Sequence, residues 1–96
     1  MRVRWTRAAI ADLDNIGSYL TDNSPSTTES TLLKLYDAAQ SLKRFPNRGR
    51  IGRMAGTREL VIAPLSFVMV YLVAGEIVHI VRVLHGAQNW PGIKRD

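Results

Sequence analysis

The sequence has no cysteine, so a disulfide framework, a thiolate zinc site, an iron–sulfur centre and thiol catalysis are all excluded. Aromatic residues make up only 7% of the chain, and proline occurs four times. No long apolar run is present. The longest, Leu65 to Ala74, is interrupted by Ser66 and reaches about half of the ~20 residues a bilayer span requires. The sequence opens with the charged Arg2 and Arg4 rather than with a signal-peptide pattern, so a soluble, cytoplasmic protein without membrane association is expected. Acidic residues are scarce in the second half: residues 1–42 carry a net charge of −1 and residues 43–96 a net charge of +6. Lys43, Arg44, Arg48, Arg50, Arg53 and Arg58 follow one another with no acid before Glu59. Such a field attracts RNA, DNA or an acidic protein segment.

What is present suits one domain over residues 1–96. With 46% apolar residues, a chain of this length buries roughly two-thirds of its unfolded surface and needs no cross-link. Arg2 to Trp5 alternates polar and apolar residues, which predicts a short first strand. Thr6 is a candidate cap for a helix from Arg7 to about Thr21, whose stripe is Ala9, Ile10, Leu13, Ile16 and Leu20. Asp12 and Asp14 lie toward the start of that helix, where its dipole favours acids. Asn23-Ser24-Pro25 stops it.

A second helix has two possible starts: Ser24 as cap with Pro25 at the first helical position, or a Ser26-Thr27-Thr28-Glu29 capping box. Its body carries Leu32, Leu35, Tyr36, Ala39 and Leu42 at helical spacing and ends at Phe45-Pro46. The two helices form an antiparallel hairpin. Strands follow at Thr57 to Ile62, Leu65 to Val73 and Glu76 to Leu84, the last pair joined by a turn at Ala74-Gly75. Strict alternation in the last strand puts Ile77, His79, Val81 and Val83 on one face and Val78, Ile80, Arg82 and Leu84 on the other. The predicted fold is two-layer α+β, with the helical hairpin packed on a mostly antiparallel sheet of about four strands.

Among single residues, His85 is the acid–base candidate, an imidazole ending a strand beside Gly86. Arg82, in an apolar strand, must find a carboxylate or border a pocket. Arg82 and His85 point to opposite faces unless the strand bulges between them. Arg58 follows the Gly-rich loop and is placed to meet a phosphate or a carboxylate. In that loop Arg48, Arg50 and Arg53 alternate with Gly49 and Gly52, a flexible arrangement suited to a phosphodiester backbone. His79, Tyr36, Tyr71 and Phe67 are read as packing residues. The two histidines share no close acid in sequence, and no metal or organic cofactor is expected.

The element order, taken with the strings Arg48-Gly49-Arg50-Ile51-Gly52-Arg53, Gly56-Thr57-Arg58-Glu59-Leu60-Val61 and Ile80 through Pro91, resembles the RelE/ParE superfamily of bacterial type II toxins across nearly the whole chain. The resemblance implies a plasmid-stabilising toxin that halts growth. It also implies a cognate antitoxin, acidic and partly disordered, bound in a toxin–antitoxin hetero-oligomer through Arg53, Arg58, Leu13 and Ile16. RelE-like members cut messenger RNA at the ribosome without a metal, whereas ParE-like members are associated with DNA gyrase. If the protein is a ribonuclease, His85, Arg82 and Arg58 carry the acid–base and charge-stabilising roles. Where the RelE-like pattern has an arginine on its central strand, Val68 stands here, and Arg82-Val83-Leu84-His85 is typical of the ParE-like side. The ParE-like reading is therefore favoured. In that reading Arg48, Arg50, Arg53, Trp90, Lys94 and Arg95 meet the target or nucleic acid. A non-toxic nucleic-acid-binding protein is compatible with the charge but not with the family resemblance.

Overall fold

A computed structural model describes residues 1–85. Strand β1 (Arg2–Trp5) leads directly into helix α1 (Arg7–Asn23). Thr6 caps the helix, its hydroxyl accepting the Ala9 N–H at 3.2 Å and donating to the Val81 carbonyl at 3.0 Å. One short side chain thus starts the helix and ties it to a strand 75 residues away. Asp12 and Asp14 lie in the first half of α1, as expected, but no acid stands in its first turn, where the dipole acts most strongly.

Pro25 opens a 3₁₀ turn (Pro25–Thr27), and helix α2 (Thr28–Ser41) begins behind it. This realises the proline start. The alternative capping box does not form, since Thr27 is the cap residue and makes no side-chain capping bond. Gly17 lies 3.6 Å from Leu32 when given a Cβ, and the Thr21 and Thr28 hydroxyls are 3.5 Å apart, so α2 folds back along α1. The helix ends at Ser41, earlier than the expected Phe45-Pro46.

Among the described residues the sheet has five strands, in the order β1-β5-β4-β3-β2, the later ones being β2 (Arg50–Ile51), β3 (Arg58–Ile62), β4 (Phe67–Ala74) and β5 (Ile77–His85). β1 runs parallel to β5, and every other pair is antiparallel. The fifth strand, β2, is only two residues long and lies in a segment that sequence reading treats as loop. The last turn is Gly75-Glu76 rather than Ala74-Gly75, since Ala74 pairs with Ile77. Gly75 has φ +60° at the first loop position, where a two-residue type II′ hairpin calls for glycine.

A single core fills the space between helices and sheet. Ala9 of α1, Leu35 and Ala39 of α2, and Leu42 meet Leu60, Ile62, Met69, Tyr71, Val78, Ile80 and Val83. Val3, Trp5, Leu13, Ile16, Leu32 and Phe67 pack around its margin. Three residues of the expected helical stripes do not join it: Ile10 is 48% exposed, Tyr36 is 51% exposed, and Leu20 is half-buried outside the core. Each sits at the edge of its stripe, where helical periodicity alone does not decide burial.

The strict alternation expected for β5 fails at one point. Tyr71 pairs with Ile80 while Val70 pairs with Arg82, so Val81 is an extra residue and the strand bulges there. The bulge reverses the pleat, which is why Val78, Ile80 and Val83 all enter one core. His79, read as a core histidine, pairs in register with Arg4 and Leu72 and is only half-buried outside that core.

Candidate functional site

The basic segment is organised around one carboxylate. Glu59, on β3 opposite Arg50, is 2% exposed. Its Oε1 accepts from Arg50 at 3.0 Å and lies 3.7 Å from Arg53 Nε, while Oε2 accepts the Arg53 backbone N–H at 3.0 Å. Burial alone pushes the Glu59 carboxyl up. The Arg53 N–H, the Arg50 guanidinium and the charges of both arginines outweigh burial and hold it below the ordinary glutamate range.

The two glycines of the Arg48-to-Arg53 string serve close packing, not the expected flexibility. Gly52 donates to the Thr57 carbonyl at 2.8 Å, and a Cβ there would collide with the Thr57 hydroxyl. A Cβ on Gly49 would lie 2.8 Å from the Tyr71 ring. Tyr71, fully buried on β4, accepts the Gly49 N–H at 2.8 Å and donates its hydroxyl hydrogen to the Pro46 carbonyl at 2.7 Å. Arg58 reaches into the same loop and donates to the Gly49 carbonyl at 2.7 Å. The loop between α2 and β2 is therefore pinned at Pro46 and Gly49 by Tyr71 and at Gly49 by Arg58. Arg48 donates from its guanidinium to the Ser41 hydroxyl at 2.7 Å.

Arg82 finds the carboxylate its setting requires. Its Nε and a terminal nitrogen donate to the two oxygens of Asp12 at 2.7 and 3.0 Å, and the Val83 N–H donates to the same carboxylate at 2.9 Å. The hydrogen bonds with Asp12 raise the Arg82 pKa against the opposing effect of burial, and the charge of Asp12 adds to them. β1 pairs with β5 only as far as Ile80, and the Asp12 carboxylate takes over as acceptor along the next stretch of that edge. Asp12 was not picked out as a site residue from sequence. The signal was a lone arginine in an apolar strand, which implies a carboxylate without naming it.

His85 closes β5 opposite Phe67, and the two rings meet edge to face, with centroids 5.9 Å apart and planes at 85°. With Ile16, Tyr19, Leu20 and Ser66 they line a largely apolar cavity of about 520 Å³. Leu13 and Ile16 are half-buried on α1, with Ile16 at this cavity.

The three residues assigned to ribonuclease chemistry do not converge. Arg58 stands opposite Tyr71 and His85 opposite Phe67, four residues apart on β4, which is about 13 Å along the strand and about 10 Å across two strand spacings. The bulge precedes Arg82, so Arg82 and His85 keep opposite pleat positions. No group of three potential metal ligands occurs among the described residues. No helix among them is long and apolar enough to cross a membrane. Trp90, Lys94 and Arg95 lie outside the described residues.

The chain is 44% identical over 87 residues to the toxin RelE2 of Caulobacter vibrioides, covering 91% of this chain and 97% of that protein. It is 35% identical over 92 residues to Y4kP of Sinorhizobium fredii, a protein classed with toxins, covering 96% of this chain and 95% of the relative. Among solved structures, the chromosomal ParDE toxin–antitoxin system of P. aeruginosa superposes with a TM-score of 0.79 at 26% identity, covering 86% of this chain and 92% of that one. The Helicobacter pylori protein HP0894 shares the fold alone, with a TM-score of 0.54 at 20% identity over 86% of this chain and 91% of that one. The model of the ParE toxin of the type II toxin–antitoxin system parDE matches residues 3–90, and the chain belongs to that family, within the RelE/ParE superfamily of type II toxins.

Proposed function

We propose that this toxin acts in the ParE manner, by protein contact with DNA gyrase in the cytoplasm, and that it does not cut RNA. The observation that carries this reading is the two-bond pair between Arg82 and Asp12. A ribonuclease needs a mobile or aimed cation at the developing phosphorane charge, close to its acid and base. Here Arg82 is committed to a carboxylate, Arg58 to a loop carbonyl and His85 to an aromatic contact at an apolar cavity. Val68 lies on the central strand β4, opposite Val61, and the resemblance aligns it with the arginine of the RelE-like pattern, which supports the same reading.

A cognate antitoxin, acidic and partly disordered, neutralises the toxin in this reading by binding it in a hetero-oligomer; the ParDE neighbour comes from a toxin–antitoxin system. Leu13 and Ile16 with the adjoining cavity offer apolar contact, and Arg53 and Arg58 at the basic loop offer charge. The test is induction of the toxin without antitoxin, with messenger RNA 5′ ends and plasmid DNA breakage read from one culture. Gyrase-dependent breaks with intact messages are expected. Codon-phased cuts in messages with unbroken DNA, abolished by His85→Ala, would overturn the reading in favour of a ribosome-dependent ribonuclease.

A further inference from the structure

The loop that Tyr71 and Arg58 hold in place displays an aromatic ring among cations. Phe45 is 59% exposed, and the Arg44 guanidinium lies over its ring at 5.9 Å from the centroid. Arg44, Phe45, Pro46, Asn47 and Arg48 line a surface depression of about 600 Å³. Arg48 also borders a second depression, of about 350 Å³, that extends toward Lys34 and the end of β3. Asp37 is the acid lining that second depression, and no acid lines the first. Lys43 is exposed beside Arg44.

One exposed apolar residue is ordinary on a protein surface. This one is held by a device that a mere surface loop does not need. Both hydrogen bonds of the buried Tyr71 hydroxyl are spent on residues 46 and 49, on either side of Arg48 and directly after Phe45. Gly49 has no side chain because the Tyr71 ring fills that space. The backbone that carries the ring and its cations is thereby held in place at Pro46 and Gly49, and such order in the free protein lowers the entropic cost of binding.

We propose that this surface binds single-stranded nucleic acid, with an unpaired base stacked on Phe45 and backbone phosphates held by Arg44 and Arg48. Charge alone would draw any polyanion, but a planar aromatic flanked by guanidinium groups selects for a chain that also carries exposed planar rings. A duplex keeps its bases stacked on one another and has none to offer this site. The surface lies away from the His85 cavity, and the inference does not rest on the gyrase reading. A gyrase poison that never touches nucleic acid would refute this inference and leave the other standing.

The experiment is fluorescence anisotropy of a labelled 15-nucleotide oligothymidine with the full chain, in 50 to 200 mM salt, beside a duplex of the same length. Tighter binding of the single strand is expected. Phe45→Ala should weaken it about 5- to 100-fold, Phe45→Trp should restore it, and Arg48→Gln should lower the slope of log affinity on log salt by about one. Thermal melting of each variant checks the fold, and both positions are exposed. Equal affinity of Phe45→Ala and wild type would overturn the proposal by reducing the surface to nonspecific charge. So would preference for the duplex, or competition by polyglutamate that depends on Phe45 as strongly as the oligonucleotide does.

Discussion

Glu59 and Asp12 do the same physical job on different sides of the sheet: each carboxylate accepts the backbone N–H of a residue just past the end of an edge pairing, Arg53 beyond β2 and Val83 beyond the reach of β1, together with a neighbouring arginine. For Glu59 the sign of the pH dependence follows from its lowered pKa. A carboxyl with a folded pKa below its unfolded value stabilises the fold above the unfolded pKa, and that contribution is lost as pH falls through the folded one. Glu59→Gln should therefore flatten the acid limb of a stability-against-pH curve below about pH 4.3, the unfolded reference for glutamate. At neutral pH it should cost roughly 1–3 kcal/mol, since the Arg53 N–H and Arg50 lose a charged acceptor. Urea titrations from pH 3 to 7 check both. An unchanged acid limb would show that other carboxylates govern acid unfolding. Asp12→Ala removes three hydrogen bonds at once and leaves the partly buried Arg82 without its carboxylate. It should cost about 2–4 kcal/mol, less than for a fully buried pair because Arg82 keeps some solvent. Pairing it with Arg82→Leu in a double-mutant cycle should recover part of that loss, whereas strict additivity would mean that the two residues are not coupled.

At the scale of elements, the loop from Leu42 to Gly49 is fixed from below by a strand. Tyr71→Phe keeps the buried ring and removes only its two hydroxyl bonds, so it should cost about 1–3 kcal/mol. Amide exchange should rise at Gly49 while the Met69 and Val78 amides stay protected, and a uniform rise along the chain would instead indicate global destabilisation. This interaction was not legible in the sequence. Tyr71 has the spacing of a packing residue, which it also is, and nothing local says that its hydroxyl meets a glycine 22 positions earlier. Helices α1 and α2, the hairpin of β4 and β5 and the Thr6 cap were legible because their signals are local: three-four spacing, a turn glycine, a hydroxyl before an apolar run. The β5 bulge was not, because it depends on where β1 ends and α1 crosses. Strict alternation consequently put Val83 on the wrong face. The site divides in the same way: the need of Arg82 for a carboxylate could be read, but Asp12 as the partner could not.

At the scale of the whole molecule, the fold is closed by its first few residues. β1 pairs in parallel with β5, Arg2 donates to the Glu76 carbonyl at 3.0 Å, and Thr6 donates to the Ile80 carbonyl at 3.0 Å, so the start of the chain is stitched to a strand that follows nearly everything else. Val3 and Trp5 pack against the core from this edge strand. Contacts between such distant segments carry a loop-closure cost that local contacts do not, and this edge pairing depends on the rest of the sheet being in place. Deleting residues 1–5 removes both apolar side chains and bares the β5 edge from Ile77 to Ile80, an unpaired edge beside an exposed core margin. The truncated chain should lose cooperative thermal unfolding and associate on size-exclusion chromatography. Trp5→Ala, which leaves the backbone pairing in place, should remain folded but lose about 2–4 kcal/mol in urea titration, somewhat below the range for a fully buried tryptophan. A truncated chain that stayed monomeric and melted cooperatively within a few degrees of the full one would mean that the four-strand sheet and helical hairpin form a self-sufficient core. β1 would then be an appended edge, and Asp12, bonded to Val83 beyond the end of β1, would have to hold α1 against β5 without it.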